Sequence, residues 1–163
     1  MYKIKTLLPN RGAVCWSEIA RVVAVSFLYV ATAKLGLMYA VVGNTVTLVW
    51  PPSGIAVAAL LVYGYRLVPG IALGALLVNL GTGIPLLTAG GIAMGNTLEA
   101  MTGVLLLTRL TRFHNSLDRL RDVFALIVSA ALCSTMVGAS LGVAALALAG
   151  TIPLSEYGSA WLK

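Results

Sequence analysis

Met94-Gly95-Asn96-Thr97-Leu98-Glu99-Ala100-Met101-Thr102-Gly103-Val104 lies inside an apolar run, Leu86 to Leu107, whose only charge is Glu99. Gly91, Gly95, Glu99 and Gly103 recur every four residues and share one face of a helix, where small residues let a neighbouring backbone approach closely. An ionised carboxylate at mid-bilayer costs a few kcal/mol, about 3 on insertion scales, unless it turns away from lipid. This spacing therefore predicts a membrane helix with its carboxylate facing a bundle.

The rest of the chain agrees. Of 163 residues 60% are hydrophobic and 10% charged, with a mean hydropathy of +0.97, whereas a soluble domain carries about a quarter charged residues. No hydrophilic stretch is long enough for a soluble catalytic domain, so the chain is read as a non-enzyme with no catalytic residues. A hydrocarbon core of about 30 Å needs roughly 20 apolar residues per helix. Five runs approach this: Ile19 to Val42, Val46 to Tyr65, Leu67 to Leu80, Leu86 to Leu107 and Val123 to Ala149. The first is longer than a cleaved signal's apolar core and reads as a retained span. The expected fold is all-α: a polytopic transmembrane bundle of about five spans, some interrupted by Pro and Gly. Residues 1–18 form a cytoplasmic N-terminal segment and residues 19–163 the membrane domain. The 46–80 region fits either two crossings or a re-entrant hairpin.

The net charge of +6 sits between the apolar runs rather than in a nucleic-acid-binding patch, so no nucleic acid is expected. Lys3, Lys5, Arg11, Arg66, Arg109, Arg112, Arg119 and Arg121 fall on one side if the N-terminus is cytoplasmic. That places Gly43 to Thr47, Gly81 to Pro85 and the C-terminal tail on the other side. Cys15 and Cys133 have no metal-ligand spacing, and no metal or cofactor is expected.

Trp50-Pro51-Pro52-Ser53-Gly54 must break or begin a helix, because two prolines lack backbone donors and restrict the residue before them. Two readings stand: an external loop with Trp50 in the interfacial belt, or a broken helix lining a ligand site at membrane depth. Lys34 is the cation nearest Glu99 in depth and the expected ion-pair partner. Asn79, Asn96 and Thr97 add polar groups there, either as interhelical glue or as the lining of a small-molecule or proton site. Gly70 with Gly74, and Gly138 with Gly142, read as close helix packing. In the loop Arg109 to Asp122, Asn115 or Ser116 is expected to cap a helix in which Asp118 pairs with Arg121 and Arg119 with Asp122. His114 reads as an exposed loop residue.

Several strings occur together in order: Leu48 to Ala56, Arg66-Leu67-Val68-Pro69-Gly70-Ile71-Ala72-Leu73-Gly74 with Asn79, Gly95 to Ala100, and Leu120-Arg121-Asp122-Val123. Their combination resembles the membrane-associated sensor domains of the first type, over nearly the whole chain. The resemblance implies a bacterial inner-membrane input module of histidine kinases or cyclic-di-GMP enzymes. The matching positions are Trp50, Pro51, Pro52, Gly54, Pro69, Gly70, Asn79, Asn96 and Glu99, with a sensing or packing role. Family members generally continue into further spans and an output domain, so this sequence is expected to be a truncated frame or to work with a cytoplasmic kinase or diguanylate cyclase partner. The bilayer, an unknown small ligand and a second copy complete the expected partners, with the C-terminus periplasmic. The alternative is a fragment or subunit of a small-molecule transporter.

Overall fold

A computed structural model describes residues 16–38, 40–42, 46–47, 50–111, 113 and 117–162. Helix α1 (Trp16–Leu37) leads into a two-stranded antiparallel hairpin, β1 (Ala40–Val42) and β2 (Val46–Thr47), with Ala40 opposite Thr47 and Val42 opposite Val46. Then follow α2 (Pro51–Tyr63), α3 (Val68–Gly81) and α4 (Leu86–Leu110). A last long rod comprises α5 (Leu120–Ala125), a π-helical stretch Leu126–Cys133 and α6 (Ser134–Leu148); a short α7 (Tyr157–Trp161) ends the chain. The double proline starts α2, where missing donors cost nothing, and the Gly64 N–H closes it on the Leu60 carbonyl at 2.9 Å, with φ +82° at Gly64.

Among the described residues two helices are long and apolar enough to cross a membrane, α1 and the composite Leu120–Leu148. Helix α4 has the length, 25 residues, but carries Glu99 and many small polar residues. At 13 and 14 residues, α2 and α3 are each about 20 Å long, less than the roughly 30 Å of hydrocarbon.

Helix α4 is central, with α2 and α3 against one side and α6 against the other, while α1 covers α2 and α3. Small residues decide the approach. A Cβ at Gly70 would lie 2.6 Å from the Val22 carbonyl oxygen, and one at Gly74 3.0 Å from that of Ser26, so α1 and α3 run parallel in near backbone contact. Gly91 meets Ala145, Gly95 meets Leu141 and Gly103 meets Ser134, so α4 and α6 run antiparallel. Tyr29, Ala33, Ile71, Ala75, Ala100 and Leu107 fill the interior, while Phe27, Leu87, Leu132 and Leu148 point outward. Small residues at the helix contacts and large apolar side chains on the outer faces suit a bundle solvated by lipid, where close packing replaces the hydrophobic drive between helices.

The Arg66 guanidinium pairs with Glu18, Arg21 lies 5.3 Å over the Tyr63 ring, and Arg109 lies in the neighbourhood of Tyr65. The start of α1, the α2–α3 turn and the end of α4 thus share one end of the bundle. Cysteines at Arg66 and Arg109 should therefore react with an impermeant maleimide from the same side of the membrane. Labelling from opposite sides would contradict this arrangement.

Three expectations are corrected. Lys34 is exposed and forms no ion pair with Glu99, because the buried face of α1 runs through Ser26, Tyr29, Ala33 and Gly36 and Lys34 lies about 100° beyond it. Asp118–Arg121 and Arg119–Asp122 pairs are not formed among the described residues. The helix begins only at Leu120, after an extended Arg119 and a Leu117 at φ +56°, so helical spacing does not apply across them. Asp122 is instead fully buried in the first turn of α5 with neither carboxylate oxygen hydrogen-bonded. The expected roles of His114, Asn115, Ser116, Arg112 and the basic residues of the first fifteen positions lie outside the described residues.

Candidate functional site

Glu99 is the fourteenth residue of the 25 in α4, which puts it near the helix midpoint. It is buried, at 6% exposure, and its carboxylate rests on α6 at Gly138. A Cβ at Gly138 would clash with Glu99 Oε2 and fall 3.0 Å from its Cδ. Glycine there is therefore the space the carboxylate occupies.

On the α2 side the Ser53 side chain is the polar neighbour of the carboxylate. Ser53 belongs to the first turn of α2, whose N-terminal dipole favours an anion close by. The Trp50 indole N–H, at the N-cap of the same helix, donates to the Tyr29 hydroxyl at 3.4 Å. Asn96 and Glu99 lie near the same hydroxyl. Four helices thus contribute to one polar cluster: Tyr29 from α1, Trp50 and Ser53 from α2, Asn96 and Glu99 from α4, and Gly138 from α6.

The start of α2 lies partway along its neighbouring helices. Trp50 sits beside Tyr29, fourteenth of the 22 residues of α1, and Ser53 beside the midpoint of α4. Helix α2 therefore starts inside the bundle rather than at its rim. Pro52 is buried in this start, while Pro51 and Gly54 are exposed on its outer side.

Asn79 is buried but stays apart, donating from Nδ2 to the Ala75 carbonyl of its own helix at 2.8 Å. Thr97 likewise bonds back to Ala93 at 2.7 Å. Sequence reasoning missed Tyr29, Ser53 and Gly138 as members of the cluster. The spacing of Ser26, Tyr29, Ala33 and Gly36 marks the inner face of α1 and offered a signal for the first. Ser53 lay unremarked within the proline segment, and Gly138 was read only as packing.

Among the described residues no group of three or more His, Cys, Asp or Glu side chains could hold a metal. The cluster contains one carboxylate, two hydroxyls, an amide and an indole, which can bind a proton or a small polar ligand and hold helices in register. The MASE1 family model matches residues 20–163. No curated protein and no solved structure matches the chain.

Proposed function

The chain belongs to the MASE1 family of membrane-associated sensory domains of signalling proteins, and from that membership we propose that it is the input module of a bacterial system ending in a histidine kinase or a cyclic-di-GMP enzyme. It would sit in the inner membrane with the arginine-bearing end cytoplasmic, because insertion holds Lys and Arg on that side. The observation that carries the reading is the buried Glu99 carboxylate between Ser53 at the mid-depth start of α2 and Gly138 on α6. A carboxylate held between three helices gives a ligand or proton leverage on their arrangement. Its protonation or capture by a ligand changes how α4 seats against α2 on one side and α6 on the other, and a packed bundle answers by shifting between discrete arrangements.

Glu99→Gln, made in this chain with its signalling partner or in a full-length relative, should shift the stimulus needed for half-response by about tenfold. Protein level and membrane insertion should stay unchanged. An unaltered response at normal abundance would reject the site. Helix α2 starting at mid-depth beside a carboxylate also favours a transport reading, since transporters bind substrates at such breaks. Substrate flux in proteoliposomes of the purified chain distinguishes the two, and the sensor reading expects none.

A further inference from the structure

We propose that the groove between α2 and the π-helical stretch is an acyl-chain site for an anionic phospholipid from the leaflet at the arginine-bearing end. The groove has a volume of about 490 Å³, within the range of ligand sites. Val57 and Ala130 line its walls, Phe113 and Leu117 its lower mouth, and Ser53 and Thr135 its upper end. From Val62 to Ser53 the α2 wall climbs nine residues, roughly 14 Å at helical rise. Half of the hydrocarbon core is about 15 Å, so the groove has the depth of one leaflet. It is open along its side, where Ala58, Ile127 and Ala131 are exposed. A single acyl chain entering from lipid fits that length and that opening.

Charge at the mouth selects the headgroup. Arg119 and Arg121 follow Leu117 closely and Arg109 precedes Phe113, all three exposed. Asp118 is the exposed acid of the same segment, while Asp122 is turned fully inside. The surplus of guanidinium groups suits a phosphodiester, which arginine recognises through paired donors. Two backbone features shape the cleft: the π-helical widening, a device found often at functional positions, and Leu117 in the left-handed region, which leucine adopts only when its surroundings fix it. Ser53 lines the top of the groove and also faces Glu99, so an acyl chain would end against the polar cluster. The site thus deepens the sensor reading by giving it a ligand class, and rests on that reading only for this consequence.

The test uses the full chain in phosphatidylcholine nanodiscs containing phosphatidylglycerol with a diazirine at the end of one acyl chain, compared with phosphatidylcholine bearing the same chain. The phosphatidylglycerol probe should label segments 53–62 and 126–135 about tenfold more than its neutral counterpart. Ala131→Trp, which fills the groove from its wall, should reduce that labelling about tenfold, and Ala58→Leu serves the same purpose if the tryptophan prevents insertion. Arg119→Gln with Arg121→Gln, or high salt, should bring the two probes level. Equal labelling by both headgroups, labelling that ignores the filled groove, or a groove occupied by a second copy or another protein's helix would each overturn the proposal. Binding is read directly, so such a result would leave the sensor reading to be decided by the Glu99→Gln response.

Discussion

Gly70→Ala should lose about 3 kcal/mol of stability, although alanine in place of a helical glycine ordinarily gains up to about 1 kcal/mol. The inversion follows from what the new methyl group meets. Its nearest neighbours are the Val22 carbonyl oxygen at 2.6 Å and the Val22 carbonyl carbon and Cα at 3.3 Å. All three are backbone atoms inside α1, and none can rotate aside. The substitution must push α1 away from α3 along their parallel contact, opening gaps at Gly74 and Tyr29. Gly90→Ala is the matched control, since a Cβ there meets nothing within 4 Å; it should gain about 0.5–1 kcal/mol. Unfolding of both variants by denaturing detergent, followed by helical circular dichroism, measures the difference. Equal stability of the two would remove the α1–α3 contact on which the placement of Tyr29 depends.

The inward direction of Glu99 was legible because a four-residue repeat of glycines leaves only one face on which a second helix can sit. The choice of its partner was not, because depth alone pointed to Lys34. Depth fixes how far along a helix a residue lies, while its angular position decides whom it meets. Lys34 directly follows Ala33, and that single step along the helix carries it from the interior to the surface. The proline segment showed the same division: the helix break was readable from chemistry, but whether it lay at the rim or at mid-depth depended on the Trp50–Tyr29 contact between residues 21 apart. The π-helical stretch between Ala125 and Ser134 left no mark in the sequence pattern, since its composition is that of any apolar helix. The start of α5 escaped because it follows from the left-handed Leu117, a conformation that no local residue preference demands.

Gly138→Ala should be destabilising by about 2–3 kcal/mol, and the size of the effect should depend on whether residue 99 is a glutamate. In the wild type, the volume of the new methyl is already taken by Glu99 Oε2. The carboxylate must therefore leave Ser53 and the start of α2, and it finds no cation among the described residues to receive it. Glu99→Ala alone should also cost stability, because it empties that volume beside α6. Combined, the two changes complement each other: the alanine at 138 occupies part of the space vacated by the side chain at 99. The double variant should be more stable than the sum of the single effects by about 2 kcal/mol. Gly142→Ala, four residues along α6 with nothing within 4 Å of its Cβ position, should show no such coupling to Glu99→Ala. Additive effects at 138 and 99 would mean that the carboxylate rests elsewhere, and a sensor built on contact between α2, α4 and α6 through that group would then lack its pivot.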